Sequence, residues 1–111
     1  MQITSSTPPL VGALATYLEA NLASPNVADA SKALGLSERT LQRRLQDSGT
    51  TFQDEVQSAR MRVAERLLLD TDASLTSIAF DVGYSSLQRF SALFRKVTGE
   101  SPSKWRAKRR S

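Results

Sequence analysis

The 111 residues include no cysteine and no histidine. Without thiols there is no disulfide and no thiolate metal site, a composition that suits a reducing compartment. Without imidazole, the commonest zinc ligand and general acid–base group are missing as well, and no cofactor is expected. Apolar runs are only a few residues long, so neither a signal peptide nor a membrane span is expected and the default location is cytoplasmic. No stretch alternates apolar and polar residues over a strand's length, which removes sheet and leaves an all-α fold. Asp54 and Glu55 are adjacent, so on a helix they would point about 100° apart and make a poor acid–base pair. With no Gly-rich phosphate loop, nucleophile elbow or metal constellation, no enzyme is expected.

What is present is a core and a basic side. Hydrophobic residues make up 40% of the chain, enough to argue against global disorder. The length allows one domain, or two very small ones that share surfaces. Formal net charge is +4, and it is unevenly placed. Residues 1–37 carry one Lys against Glu19 and Asp29, a net of −1; residues 38–111 carry 14 Lys and Arg against 9 acids, a net of +5. The densest basic run lies over 104–110. A field of that sign, beside the punctuation described next, points to nucleic-acid phosphate.

Residues 1–7 are polar and Ser/Thr-rich and read as the disordered end of a linker. Pro8 and Pro9 suit the first turn of a helix, whose buried stripe is Leu10, Leu14, Leu18 and Leu22. A break at 24–26 precedes a short second helix over 27–34, ended by Gly35 at positive φ. Ser37 caps a third helix that runs to about Ser48 and stops at Gly49. Thr51 caps a long fourth helix over 52–69, about 27 Å in length, with Phe52, Val56, Ala59, Val63 and Leu67 as its stripe. After a loop at 70–74 come helices over 75–82, 85–98 and from Pro102 to about 108. Gly83 is the intervening turn, and 109–111 form a basic tail. About seven helices therefore make two helix-turn-helix subdomains, at about 8–50 and about 74–108, joined by the long linking helix.

The halves repeat. With one residue inserted in the turn, Gly35-Leu36-Ser37 matches Gly83-Tyr84-Ser85, Leu41 and Leu45 match Phe90 and Phe94, and Gly49 matches Gly99. If Leu41 and Leu45 point inward, Arg39 and Arg43 point almost directly outward, flanked by Gln42 and Gln46. Arg can grip guanine O6 and N7 with two hydrogen bonds, and Gln can do the same for adenine N6 and N7. The N-terminal part of a recognition helix is the part that reaches base edges. In the second half Phe90, Leu93 and Phe94 point inward, Gln88, Ser91, Ala92 and Arg95 outward, and Arg89 lies on the edge. The expected base readers are thus Arg39, Gln42, Arg43, Gln88 and Arg89. Ser37, Ser85, Arg95, Lys96, Lys104 and Arg106 are the expected phosphate contacts. Ser85 and Ser101 offer further caps, and Trp105 packs the last helix over the second unit while Lys104 and Arg106 face outward.

Ile78-Ala79, Gly83-Tyr84-Ser85, Phe90, Phe94, Gly99, Ser101-Pro102 and Trp105-Arg106 together resemble the signature of the DNA-binding domain of AraC/XylS-type bacterial transcription regulators. Gly35-Leu36-Ser37 with Leu41-Gln42-Arg43-Arg44-Leu45 resembles that family's first helix-turn-helix. The resemblance covers about residues 10–108. It implies two helix-turn-helix units reading successive major grooves of double-stranded DNA, with family base contacts on the positions of Arg39, Gln42, Arg43, Gln88 and Ala92. Where the family commonly has Arg this chain has Ala92, which cannot hydrogen-bond a base but can touch a thymine methyl. The resemblance also implies a longer regulator, in which a small-molecule effector acts through a separate domain and RNA polymerase is a candidate partner, working in the cytoplasm beside the nucleoid. The alternative from the residues is a helical protein-interaction domain of the transcription machinery, with Phe80 outward on the fifth helix as part of its surface.

Overall fold

The computed structural model of the chain describes residues 9–110; the polar segment 1–7, Pro8 and Ser111 lie outside that range. Its elements, in order, are α1 (Pro9–Glu19), α2 (Val27–Ala33), α3 (Glu38–Asp47), α4 (Phe52–Asp70), α5 (Leu75–Asp81), α6 (Leu87–Thr98) and α7 (Pro102–Arg110). Among the described residues there is no strand, so the fold is all-α. The chain divides between Ala59 and Arg60 into two compact units, and the division falls inside α4.

Unit 1 is built on leucine. Leu14 and Leu18 of α1 and Leu41 and Leu45 of α3 are all at 0% exposure, and Leu22, just past α1, is buried as well. Each fully buried Leu contributes about 1.5–3 kcal/mol of hydrophobic stabilisation, which fixes which side of α3 faces inward. Asn26 begins α2 by accepting a hydrogen bond from the Asp29 N–H at 2.8 Å. Thr51 does the same for α4, accepting from the Asp54 N–H at 3.1 Å. The first half of α4 adds Phe52, Val56 and Ala59 to this core.

Unit 2 is built on aromatic rings. Tyr84, Phe90, Phe94 and Trp105 form a continuous chain, with centroids 5.8, 5.6 and 5.7 Å apart and the last pair edge-to-face at 88°. Such pairs contribute about 0.5–1.5 kcal/mol each beyond the area they bury. Ile78, Ala79 and Val82 close the core from α5 and its end. From α4 the buried residues are Met61, Ala64 and Leu68, whereas Val63 and Leu67 are only half-buried. The expected stripe thus holds through Ala59 and is then displaced by one residue, a rotation of about 100°. A single period run along a helix cannot reveal that its two halves serve different cores.

Candidate nucleic-acid interface

The turn before each outward-facing helix is closed in the same way. In unit 1 the Leu36 N–H donates to the Ser31 carbonyl at 2.9 Å and the Gly35 N–H to that of Lys32 at 3.1 Å. In unit 2 the Tyr84 N–H donates to the Ala79 carbonyl at 2.9 Å and the Gly83 N–H to that of Phe80 at 3.0 Å. This paired pattern requires a left-handed residue, and Gly35 at φ 73° and Gly83 at φ 102° supply it without the Cβ penalty.

The helix that follows is capped by serine in both units, but the second capping serine is not the one expected. Ser37 Oγ accepts from the Thr40 N–H at 3.1 Å and donates to Thr40 Oγ1 at 2.9 Å. In unit 2 the acceptor of the Arg89 N–H, at 3.1 Å, is Ser86, and α6 starts at Leu87. Ser85 is an exposed turn residue. With two serines in succession, local sequence does not say which reaches the third N–H; the position of Phe90, four residues beyond the cap like Leu41, decides it. The residue inserted between the repeats therefore lies in the turn.

Counted from the cap, Arg39, Gln42 and Arg43 stand where Gln88, Ser91 and Ala92 stand in unit 2. Arg39, Gln42, Arg43, Gln88, Arg89 and Ala92 are exposed and Ser91 is half-buried. Arg39 and Arg43 have no side-chain partner among the described residues, so both guanidinium forks are open to a ligand. Gln42 also borders a surface groove of about 580 Å³ with Gln46, Asn26 and Thr51.

The four basic residues among the expected phosphate contacts separate into three groups. Arg95 and Lys104 come together, lining a groove of about 520 Å³ with Gly99, Ser101 and Lys108. Lys108 is also paired with Glu100 at 3.3 Å. Lys96 is exposed but is not part of this groove. Arg106 needs a different assignment. Its Nε donates to the Leu68 carbonyl at 2.9 Å, Nη1 to Ala73 at 2.9 Å and Nη2 to Thr71 at 3.1 Å. These carbonyls belong to the C-terminal end of α4 and the loop after it, where a helix leaves acceptors unsatisfied. A half-buried guanidinium directed at these backbone carbonyls is a structural clamp, so Arg106 does not face outward as expected.

Arg110 completes the clamp, donating to the Thr71 carbonyl at 2.9 Å and to Asp72 Oδ1 at 2.7 Å. Arg110 falls in the basic tail expected over 109–111, yet α7 runs through it. The hydrogen bond from Arg110, followed by its charge, holds the Asp72 carboxyl below its ordinary value. Arg109 lies with its guanidinium carbon 4.3 Å from the centre of the Trp105 ring, a cation–π contact. Charge and spacing alone do not separate Arg106 and Arg110 from their neighbours in the run, because their partners lie more than thirty residues away. Burial of Tyr84 raises its phenol above the usual range, and the nearby Arg60 opposes the shift.

A family model described as a helix-turn-helix domain matches residues 30–108. The transcriptional regulator VqsM of Pseudomonas aeruginosa is 37% identical over 82 residues, 74% of this chain and 25% of that protein. The chain spans about a quarter of the length of the curated relatives it matches. A solved structure from Chromobacterium violaceum, a regulator with an AraC-type DNA-binding domain, superposes with a TM-score of 0.82 at 30% identity and covers 91% of this chain and 92% of that one. The DNA-binding domain of the global transcriptional factor AdpA, solved in complex with a target DNA, superposes with a TM-score of 0.76 at 28% identity, covering 94% of this chain and 95% of that one.

Proposed function

The chain belongs to the helix-turn-helix domains of AraC-type transcription regulators, and on that premise we propose that it binds double-stranded DNA sequence-specifically, with α3 and α6 each entering a major groove. The observation that carries this reading is the shared register of the two helices. Each begins with a serine cap after a glycine turn, buries the fourth and eighth residues beyond the cap, and exposes the second and sixth. Those exposed positions lie in the first two turns, the part of a recognition helix that meets base edges. Arg39, Gln42 and Arg43 read bases from unit 1, Gln88 from unit 2, and Arg89 contacts the edge of the same groove. Arg95, Lys104 and Lys96 neutralise phosphates, and Ser37 orients the start of α3 beside the backbone.

The same reading makes the chain the DNA-reading part of a longer regulator. RNA polymerase is then a protein partner and the cytoplasm beside the nucleoid its location. A small-molecule effector acts through a domain elsewhere in such a protein.

Two variants test the assignment of base and phosphate roles. Arg43→Ala should cost about 1–3 kcal/mol at the preferred duplex and relax preference at one or two base pairs. Lys104→Ala should weaken all duplexes about equally and reduce the salt slope by roughly one unit. Equal loss on random and preferred DNA for Arg43→Ala removes its base-reading role. The two-groove arrangement is tested with 5 bp inserted between the half-sites, about half a turn of the duplex. The insertion should abolish one unit's contribution; binding indifferent to it means that one unit holds the DNA alone.

A further inference from the structure

The common register lets the outward positions of the two recognition helices be compared one for one. Second from the cap stand Arg39 in α3 and Gln88 in α6; sixth from the cap stand Arg43 and Ala92. At about 100° per residue, the second and sixth positions lie within about 40° of each other and opposite the inward pair. That inward pair is Leu41 and Leu45 in one helix and Phe90 and Phe94 in the other, all at 0% exposure. All four outward residues are exposed. In α3 both outward groups are guanidinium forks, whereas in α6 one is a carboxamide and the other a methyl.

Resting on the reading that α3 and α6 enter DNA grooves, we propose that the chain selects a site whose halves differ in composition. In the half read by α3, guanine is fixed by Arg39 and Arg43. The half read by α6 is adenine·thymine, with Gln88 on an adenine and the Ala92 methyl against a thymine methyl. The donor and acceptor patterns decide this. Guanine presents two adjacent acceptors, O6 and N7, to the major groove, and a guanidinium has donors only. Adenine presents N7 as acceptor beside the N6 donor, which matches the acceptor and donor of one carboxamide. Ala92 offers neither, so its gain comes from removing its own methyl and that of thymine from water.

The remaining cations of α6 do not restore a guanine reader to this window. Arg89, third from the cap and exposed, lies about 100° around the helix from Gln88 and about 60° from Ala92, so it borders the window at the groove's edge, and it corresponds to the half-buried Thr40 in α3. Arg95 is ninth from the cap and lines the groove with Lys104 and Ser101 rather than the first two turns. Ser91, fifth from the cap, is half-buried and short, and a hydroxyl accepts either base type.

Selection of duplexes from a random pool with the intact chain gives the two half-sites, and repeating it with Arg43→Ala and Gln88→Ala shows which helix reads which. Two chemical replacements then probe the selected duplex. Uracil for thymine deletes only the C5 methyl, and 7-deazaguanine for guanine deletes only the N7 acceptor. Uracil in the α6 half should weaken binding about three- to five-fold, on the order of one buried methyl. In the α3 half, 7-deazaguanine should weaken it about ten-fold, within the range of one bidentate contact. Uracil at a thymine of the α3 half should have no effect. Ala92→Arg should abolish the uracil sensitivity and admit guanine to the α6 half. A guanine-fixed α6 half-site, or one indifferent to uracil, overturns the proposal while leaving DNA reading intact. Selection that returns no preferred sequence overturns DNA reading itself.

Discussion

The turns before α3 and α6 are closed by the same two hydrogen bonds and the same serine cap, yet the side chains beneath them differ in kind. Unit 1 fills its interior with Leu14, Leu18, Leu41 and Leu45, whereas unit 2 threads Tyr84, Phe90, Phe94 and Trp105 into one chain of rings. The backbone motif needs a left-handed residue, a capping hydroxyl and two inward apolar positions; it places little demand on what those positions hold. The outward positions are equally free, which is why two copies of one motif can carry Arg39 and Arg43 in one case and Gln88 and Ala92 in the other. Shape is held in common and the outward side chains are set separately.

The comparison breaks first, and by most, in the cores. Phe94→Ala should cost about 3–5 kcal/mol and shift the denaturation midpoint reported by fluorescence of Trp105, the sole tryptophan. Leu45→Ala should cost about 2–5 kcal/mol and act mainly on the far-ultraviolet dichroism of unit 1. If Leu45→Ala moves the Trp105 midpoint as far as Phe94→Ala does, the units melt as one structure and their cores are not independent.

Arg106→Ala sharpens the contrast next, because the Arg106 clamp belongs to unit 2. Losing charged hydrogen bonds to the Leu68, Thr71 and Ala73 carbonyls should cost about 1.5–3 kcal/mol in denaturant unfolding. Arg106→Lys should recover little of it, since one ammonium cannot serve three divergent carbonyls. A salt slope lowered by one unit with stability unchanged would return Arg106 to the phosphate contacts.

The caps should be equal. Ser37→Ala and Ser86→Ala are each expected to cost about 1 kcal/mol, while Ser85→Ala should be near neutral. A loss at Ser85 matching that at Ser86 would put the start of α6 back where the sequence alone suggested it.

The smallest effect is expected at Asp72. Its folded pKa lies below the ordinary 3.8 because Arg110 bonds and attracts the carboxylate. A depressed folded value contributes stability above the unfolded pKa and loses it as pH falls through the folded one, so the loss lies on the acid side of about 3.8. Asp72 is 92% exposed, where solvent screens the pair. Asp72→Asn should only slightly flatten the acid limb of unit 2 unfolding; a large shift would mean that the clamp depends on this ion pair rather than on the carbonyls.

Features set by neighbours along the chain were legible in the sequence. Gly35 and Gly83 announced the turns, Leu41/Leu45 and Phe90/Phe94 announced the inward faces, and from these the outward direction of Arg39, Arg43 and Gln88 followed by rotation alone. What depended on distant partners was hidden. Arg106 is one cation among several in its run, and only the exit of α4, folded back against it, distinguishes it. The displaced stripe at Met61, Ala64 and Leu68 was hidden for the same reason, since a helix shared by two cores has no single period. Ser86 against Ser85 was a choice between adjacent identical side chains.

The clamp on α4 also fixes an order of events during synthesis. Arg106 bonds to carbonyls 33 to 38 residues behind it, and Trp105 closes the ring chain begun at Tyr84. Until residues through 110 have left the ribosome, α6 emerges with Phe90 and Phe94 uncovered and α4 with its last carbonyls open. Unit 1 draws its buried leucines from residues before Ala59 and can close well before that. At about 5–20 residues per second, the interval between the emergence of Phe94 and that of Arg110 is on the order of one to three seconds, during which unit 2 presents an aromatic surface to chaperones. A message cut within α7 would therefore not yield a reader weakened at one contact. It would yield a finished unit 1 tethered to an uncovered aromatic segment, the kind of product that aggregates or is degraded.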